Sequence, residues 1–516
     1  MVAVNHMQEA HIQDGVRSAL ESNVDAVRAV AHAVEGTIGS KGLDTMLVDQ
    51  AGNAIITNDG ATILGQMEIH HPAARLLIHT ARMQKEAVGD GTTTATVIAA
   101  AMVEEGARQI DRGVPVTKVT DGIAEATEYV LAVLDAAAER KVTDEVLYRL
   151  AMTAGRQKVD VADAIVRAVH LVGRDRAASK DASMADWITS QTGVDTDVTE
   201  GVTFPGGQVN HVPHVEWSKV RIAIFDDALE MTRMERDMLR SEAGVQRYLV
   251  AEDAFRRSVA ELVKAGVGLV LIDRGVDPMA EAILTEANIL VVSRVEMAVW
   301  KRVASYTNAR PMRRTALACS PSVWQASLGK AETIVYDEMQ KQIRIAGGQG
   351  EAMATIVVGA STEALAEEKK RIAQDAVSAV QNALRGGWVA GGGATEVMLA
   401  RALGKRRSEV HDMTGYGMDA VRRAILEPVY RMIHNAGYHP LDKTEEVMSY
   451  QIDNQANQYG FDCDSGKAGD MVVLGVIDSA LVKRQAIRTA SEVASAVLKI
   501  NAIVRMKPQT IEDRYE

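Results

Sequence analysis

The sequence of 516 residues is poor in aromatic side chains and rich in aliphatic ones. Phenylalanine, tryptophan and tyrosine make up only 4% of it, whereas 47% of the residues are hydrophobic and 23 are methionine. A core built from aliphatic side chains favours packed helices over an aromatic-rich β-sandwich. The length is ample for a protein of about three domains.

Cysteine is nearly absent as well. The two that occur, Cys319 and Cys463, lie far apart and form no CxxC pair. This spacing argues against a disulfide framework and against a zinc site. We interpret both cysteines as ordinary packing residues.

Long apolar runs and blocks of positive charge are also missing. No uninterrupted apolar stretch reaches the roughly 18 to 20 residues that span a bilayer, and the first segment has no basic region followed by a long apolar one. The net charge of −12 argues against nucleic acid and anionic membranes as partners. We therefore expect a cytoplasmic protein that binds neither.

Amphipathic helical patterns occupy both ends of the chain. Helices are predicted over residues 16–36, 71–88, 94–112, 116–139, 366–384, 397–403, 418–435 and 480–504. Within the first group, the strand patterns 46–48 and 54–57 are joined by turn-forming residues and predict a β-hairpin.

The middle of the chain changes to strands and helices in alternation. The short apolar runs 220–225, 267–272 and 289–292 are separated by helical patterns. Such runs are typical of buried strands in an α/β domain. The two ends of the chain are therefore predicted to build one domain around an inserted middle.

The most informative segment is VGDGTTTATV, residues 88–97. Gly89 and Gly91 leave backbone N–H groups bare, and Thr92, Thr93 and Thr94 add hydroxyls at the start of a helical pattern, which predicts an anion site. Asp90 would repel a phosphate on its own but would hold a magnesium ion against it. A glycine turn followed by a threonine-rich helix cap explains the same run equally well.

Other polar segments also have two interpretations. The turn TIGSKG, residues 37–42, offers backbone donors and one cation, or is simply a helix C-cap. Asp59 ends the hairpin where a turn favours aspartate, and Asp375 lies in a helical pattern where a solvated carboxylate is common. Residues 388–396 place three glycines before a helix, and Asp478 follows an apolar run from which it could accept hydrogen bonds from ribose hydroxyls.

Two common nucleotide-binding patterns are absent, namely GxxxxGK[ST] and strand–GxGxxG–helix, which disfavours P-loop and Rossmann enzymes. Six segments instead resemble, in order and separation, those of the chaperonins and specifically the thermosome-like group II kind. They are TIGSKG (37–42), TNDGATIL (57–64), HPAARLL (71–77), GDGTTTAT (89–96), AGGGATE (390–396) and GVID (475–478). The resemblance runs through nearly the whole chain and favours functional roles for Asp59, Asp90 and Asp375.

The resemblance implies a site for ATP and Mg²⁺. Asp90 would coordinate magnesium, and Asp59 and Asp375 would flank the attacking water, which must be oriented in line with the γ-phosphoryl group. The nucleotide contacts that it implies are Thr37, Ile38, Gly39, Gly91, Thr92, Thr93, Thr94, Gly392, Asp478 and, as a γ-phosphate sensor, Lys158.

The implied fold is a multidomain α and α/β chaperonin fold. It comprises a helical equatorial domain (1–144 and 399–516), an intermediate hinge domain (145–211 and 361–398) and an α/β apical domain (212–360). Because Asp375 falls in the hinge domain, the site would be complete only when the hinge closes, which would couple hydrolysis to motion.

A polar, helix-prone insertion at about 231–257 stands where group II chaperonins carry a helical lid, so no separate co-chaperonin is expected. It is a few residues short and lacks the usual Asp-Pro break, and Ala390 stands where proline is usual; these departures fit the divergent bacterial branch called group III. Met231, Met234 and Met238 are predicted to share a helical face, which either binds unfolded chains or packs against the apical body.

The resemblance implies an ATP-driven folding chamber, a double-ring homo-oligomer that binds unfolded polypeptides and encloses them. An alternative is a chaperonin-like ring scaffold without productive ATP cycling, against which the three aspartates argue. A small-molecule kinase would need an acceptor motif, and none is visible in the sequence.

Overall fold

The computed structural model describes residues 2–49, 51–52, 54–212, 215–231 and 242–503. It divides into two compact units, one of residues 1–162 with 374–516 and one of residues 163–373. We call them the terminal unit and the middle unit. The terminal unit is mainly helical and the middle unit is α/β, so the predicted mixed fold class is confirmed.

Within the described residues, the terminal unit is a helical body with three two-stranded sheets, β1-β2, β13-β16 and β14-β15. Its first elements are α1 (Val2–Glu35), β1 (Thr45–Val48), β2 (Ala54–Thr57), α2 (Gly60–Gln66), α3 (Pro72–Val88), α4 (Thr92–Asp111), α5 (Val116–Ala137) and α6 (Asp144–Ala154). Helix α7 (Val159–Val172) then runs into the middle unit.

The middle unit is built on a seven-stranded sheet. Its elements are α8 (Arg174–Ala178), β3 (Ile188–Thr192), β4 (Asp197–Glu200), β5 (Val202–Pro205), β6 (Gln208–Val209), β7 (Glu216–Phe225), α9 (Glu242–Lys264), β8 (Val267–Ile272), α10 (Pro278–Glu286), β9 (Leu290–Ser293), α11 (Met297–Thr307), α12 (Pro321–Gln325), β10 (Gly329–Asp337), β11 (Gln342–Ala346) and β12 (Ala354–Ala360).

Helix α13 (Glu363–Gly386) returns the chain to the terminal unit. The remaining elements are β13 (Trp388–Ala390), α14 (Ala394–Ser408), α15 (Thr414–Asn435), α16 (Pro440–Asp453), β14 (Tyr459–Asp462), β15 (Lys467–Asp470), α17 (Met471–Leu474), β16 (Ile477–Ser479) and α18 (Ala480–Leu498).

The core of the terminal unit lies between α1, α3, α4, α5, α15 and α18. Met102, Ile123, Val421 and Ala490 are among its fully buried side chains. Close-packed aliphatic side chains of this kind fix helix positions to within a methylene group. This body therefore provides a rigid base for the loops at its helix ends.

The sheet of the middle unit has the strand order β5-β11-β10-β7-β8-β9-β6. Strands β7, β8 and β9 run parallel, and β10 is antiparallel to β7. Ile222, Phe225, Leu269 and Leu271 are fully buried, because strands covered on both faces need apolar side chains in succession. A second sheet has the order β3-β12-β4.

Most predicted elements are confirmed with small shifts. The hairpin is present, with Thr45 opposite Thr57, and the strand predicted over 289–292 spans Leu290–Ser293. Helix α18 ends at Leu498 instead of reaching Val504, and α4 and α14 begin two and three residues earlier than predicted. Among the described residues, none of the helices combines the length and apolarity required to cross a membrane.

The predicted protrusion at 231–257 is helical only from Glu242 onward within the described residues. Met231 lies outside any helix and is half-buried, so its placement on a helical face is wrong. Met234 and Met238 lie outside the described residues. The proposed three-domain boundaries, including the hinge domain at 145–211 and 361–398, stay a prediction.

Candidate functional site

The GDGTTT segment forms a tight loop between α3 and α4. Gly89 ends α3 at a φ of 71° and donates its N–H to the Lys85 carbonyl at 2.9 Å, and Gly91 at a φ of 76° immediately precedes α4. Both conformations are left-handed, which only glycine adopts without strain. Thr92, Thr93 and Thr94 are thereby placed in the first turn of α4, where the backbone N–H groups have no partner within the helix.

Three helices hold this loop. Gln84 of α3 donates from Nε2 to the carbonyls of Asp90, at 2.9 Å, and Val482, at 3.2 Å. Asn382 of α13 donates from Nδ2 to the carbonyl of Val88 at 2.6 Å. The loop is therefore fixed by the neighbouring Gln84 and, through Val482 and Asn382, by two helices that are remote from it in sequence.

Asp59 is the N-cap of α2 and is buried. Its carboxylate accepts hydrogen bonds from the Ala61 and Thr62 N–H groups, at 3.2 and 3.3 Å, and from the Thr62 hydroxyl at 2.7 Å. Lys85 Nζ lies 2.8 Å from Oδ2. Burial alone would raise the pKa of Asp59, but Lys85 and the hydrogen bonds outweigh it and hold this pKa below its usual value.

Asp90 is in a different electrostatic situation. Its Oδ1 accepts the Gly91 N–H at 2.5 Å, but burial outweighs this bond and the charges of Asp478 and Asp59 oppose ionisation further. The pKa of Asp90 is raised to about 6, although Lys483 acts in the opposite direction.

Asp375 lies on α13, in the terminal unit with Asp59 and Asp90. Burial is the main cause that raises its pKa well above the usual value, and the negative charges of Asp90 and Asp59 add to it. Lys85 and Arg156 act against this increase without cancelling it. The three predicted aspartates thus form one electrostatic cluster. Within it the ionised form of Asp59 is stabilised and the ionised form of Asp375 is destabilised.

The glycine-rich segment before α14 approaches Asp478. Strands β13 and β16 pair with Val389 opposite Asp478, and a Cβ at Gly391 would lie 3.2 Å from Asp478 Oδ2. Gly392 follows with a φ of 58°. Asp478 is therefore the middle residue of a short strand, and it faces the glycine loop.

The turn at residues 37–42 lies beside the same loop. Gly39, at a φ of 88°, packs on Met432 of α15, and Gly393 packs on Val429 one turn earlier on that helix. The Ile38 carbonyl accepts a hydrogen bond from Asn435 Nδ2 at 3.0 Å. These contacts place Ile38 and Gly39 against the same helix, α15, as the AGGG segment.

Two predicted contacts have a different environment from that expected. The Thr37 hydroxyl is buried and donates to the Val34 carbonyl at 2.8 Å, so it serves its own helix. Lys158 is exposed in the turn between α6 and α7. In that turn it is Arg156, at a φ of 52°, whose charge lowers the pKa of Asp375.

Several residues that hold the site were missed by the sequence reasoning, namely Gln84, Lys85, Asn382, Glu396 and Lys483. A glutamine, a lysine and an asparagine inside amphipathic helices carry no local signal, because helix patterns expect polar residues on one face. Only the AGGGATE segment contained a hint, since Glu396 sits in the first turn of α14 yet is 7% exposed.

The donor set fits a magnesium ion that is carried by a nucleotide. Lys85 faces Asp59 and Lys483 faces Asp478, whereas the charge of Asp90 raises the pKa of Asp375. In the described part of the chain, His, Cys, Asp and Glu side chains form no cluster of three that could cage a metal by themselves. Mg²⁺ commonly takes one or two carboxylates and completes its shell with phosphate oxygens and water.

Comparison with known proteins identifies the family of this site. Residues 30–508 match the TCP-1/cpn60 chaperonin family. A thermosome subunit of Pyrococcus abyssi is 31% identical over 95% of this chain and 91% of its own length. The thermosome subunit beta of Archaeoglobus fulgidus is likewise 31% identical, over 95% of this chain and 92% of its own length.

A solved structure agrees with the sequence comparisons. The crystal structure of a group III chaperonin in the open state is 36% identical and superposes with a TM-score of 0.81, covering 95% of this chain and all of that chain. Family match, relatives and fold point the same way: the chain belongs to the TCP-1/cpn60 chaperonin family, within its group II and group III branches.

Proposed function

We propose that this chaperonin hydrolyses ATP with the help of Mg²⁺ at the cluster of Asp59, Asp90 and Asp375, and that hydrolysis drives the enclosure of unfolded polypeptides. Membership of the family makes the chain a nucleotide-dependent chaperone that forms rings. The observation that carries the proposal is that the charges of Asp59 and Asp90 both act on Asp375, while Gly60, next to Asp59, lies against Thr93 of α4 and Gly89, next to Asp90, lies against Ser378 of α13.

The loop and the helix start provide the phosphate site. The N–H groups of the first turn of α4 point out of the N-terminal end of the helix, where the helix dipole favours negative charge. Gly91, at a φ of 76°, turns the chain into this first turn without the strain that another residue would have there. When bound with the nucleotide, Mg²⁺ supplies positive charge that neutralises the phosphates and Asp90.

The two remaining carboxylates differ in proton affinity, which assigns them different roles. Asp375, with its raised pKa, is suited to accept the proton of the attacking water. Asp59, kept ionised by Lys85, is suited to orient that water. Asp478, Gly392, Ile38 and Gly39 would contact the ribose and base, and Arg156 joins Lys158 as a candidate sensor of the γ-phosphate.

Assembly and cavity closure complete the proposal. We infer a double ring of identical subunits with a built-in lid near 231–257 and no separate co-chaperonin; Met231, Met234 and Met238 remain the proposed contacts for unfolded chains. A cytoplasmic location stays a prediction from the sequence.

Replacement of Asp375 with alanine tests the catalytic assignment. Release of inorganic phosphate from ATP should fall by at least two orders of magnitude, while nucleotide binding and ring assembly persist. Asp121→Ala, which removes an exposed aspartate of α5, is the matched control and should leave turnover unchanged. Persistent turnover in Asp375→Ala would show that the assignment is wrong.

Electron microscopy of the wild-type protein distinguishes the folding chamber from a passive ring scaffold. Double-layered particles that close only with ATP and aluminium fluoride support the chamber. Rings that bind ATP without closing or releasing phosphate support the scaffold, and monomers contradict both. Phosphoryl transfer to a small molecule, instead of phosphate release, would indicate a kinase.

A further inference from the structure

A partly buried ion-pair triad includes Asp478 of the proposed ribose site, and its other two members, Lys483 and Glu396, have no role in the proposed mechanism. Lys483, in the first turn of α18, has Nζ 2.8 Å from Asp478 Oδ2 and in hydrogen-bond contact with Glu396 Oε1. The side chains of Lys483, Glu396 and Asp478 are 12%, 9% and 33% exposed. Asp478 is therefore the most accessible member of the triad.

We propose that Lys483 is a positioning residue for nucleotide binding, which aims the carboxylate of Asp478 at the ribose hydroxyls and is itself held by Glu396. This inference rests on the proposed ATP site. Lys483 does not touch the reacting atoms, so its effect is on the affinity for the ribose and not on the chemical step.

The geometry of Asp478 is the first support. Asp478 lies in a strand of only three residues, β16, whose partner β13 is equally short. Such a pair fixes the backbone but leaves χ1 and χ2 of an aspartate free to change rotamer. An ammonium at 2.8 Å from Oδ2 fixes the rotamer and leaves Oδ1 to accept a hydroxyl, since a charge-assisted hydrogen bond is strongly directional.

The second support is the place of Glu396. This side chain is 7% exposed, and its Oε2 has no hydrogen-bond partner among the described residues. A buried carboxylate with an unsatisfied oxygen costs stability, and it is retained where its charge holds another group. Here Glu396, which lies on α14 directly after the AGGG segment, holds the ammonium of Lys483 against Asp478.

The third support is the charge balance. Without Lys483, Glu396 and Asp478 would be left as a pair of like charges, since both carboxylates contact its ammonium. Like charges in a partly buried site repel strongly. Lys483 therefore allows two carboxylates to lie beside a site that must also accept a polyphosphate.

The test compares ATP with 2′,3′-dideoxy-ATP in steady-state hydrolysis by the full-length protein. Lys483→Met should raise the KM for ATP roughly tenfold, as expected for loss of a charge-assisted hydrogen bond, with kcat within about twofold. For 2′,3′-dideoxy-ATP the variant and the wild type should have the same KM, because the ribose hydroxyls that Asp478 would bind are missing.

The control is Arg484→Met. Arg484 neighbours Lys483 on α18 and forms an ion pair with Asp135 of α5, so its loss reproduces the structural cost of removing an ion pair from the same helix turn. It should leave both KM values unchanged. Glu396→Gln provides a second, milder variant, which should raise the KM for ATP by a smaller factor and again not that for the dideoxy nucleotide.

The outcomes separate this inference from the proposed function. An unchanged KM for ATP in Lys483→Met and Glu396→Gln, or an equal increase for both nucleotides, would overturn the positioning role while leaving the ATPase proposal intact. A wild-type protein that neither binds nor hydrolyses ATP would overturn the proposed function, and this inference with it.

Discussion

Lys85 Nζ lies 2.8 Å from Asp59 Oδ2 and makes one of two neighbouring carboxylates a stable anion. The pKa of Asp375, in the same cluster, is instead raised by burial and by the charge of Asp90, and the charges of Lys85 and Arg156 do not cancel this increase. Pairs of carboxylates whose environments push their pKa values apart are typical of sites that divide orienting and proton-accepting roles. Lys85 of α3 thus contributes to the difference in pKa between Asp59 and Asp375, which lies on α13.

Lys85→Met should lower kcat and raise the pKa of Asp59. A carboxylate with a lowered pKa contributes stability above its unfolded value of about 3.9 and loses it as the pH falls further. We therefore expect the acid limb of the kcat profile to move to higher pH in the variant, and its thermal stability at pH 7 to fall. Arg82→Met, which changes an exposed cation of the same helix, should reproduce neither effect.

The raised pKa of Asp90 makes the pH dependence of its contribution to stability opposite in sign to that of Asp59. Its pKa is raised to about 6, so its ionised form destabilises the protein when metal is absent and protonation relieves this cost. The melting temperature of metal-free Asp90→Asn should exceed that of the wild type at pH 7.5, and the difference should shrink as the pH falls below 6 and vanish only below about pH 4, where aspartate is protonated in the unfolded chain as well. Calorimetry should also show that Mg²⁺-dependent ADP binding by the wild type weakens below pH 6; equal affinity at pH 5 and pH 7 would contradict this prediction.

Asn382 connects the helix of Asp375 to the proposed phosphate loop through the Val88 carbonyl. Asn382→Ala should reduce kcat roughly tenfold, because loss of this hydrogen bond frees the loop relative to α13. Asn454→Ala removes a comparable amide-to-carbonyl bond at the exposed end of α16 and is the matched control. If both variants changed kcat equally, the contact would be structural only.

Gly91 allows a test of the loop backbone. At a φ of 76°, a Cβ there would lie 2.7 Å from Val482 Cγ1, so Gly91→Ala adds a clash to the strain of a left-handed alanine. We expect it to lower the unfolding free energy by about 2 kcal/mol or more and to weaken ADP binding. Gly113→Ala, at a φ of 95° with open space around the new Cβ, isolates the strain and should leave ADP binding unchanged.

The sequence located the loops of the site but not what holds them. Glycines and aspartates at turns have local signals, and the amphipathic patterns of α3, α4 and α15 were read correctly because their apolar faces repeat. Strands β13 and β16, with three residues each, are too short to show alternation. Lys483 and Gln84 were missed because their partners lie in other elements, and no local pattern marks a long-range contact.

The hydrogen bond from Gln84 to the Val482 carbonyl joins residues 398 positions apart, and this separation sets an order of maturation. At about 5 to 20 residues per second, a ribosome delivers Val482 about 20 to 80 s after Gln84. Residues 163–373, the middle unit, have all been synthesised by then. A newly synthesised subunit therefore has its middle unit available to fold long before the last helix of its proposed nucleotide site exists, and ATP can act on it only after Val482 has been added.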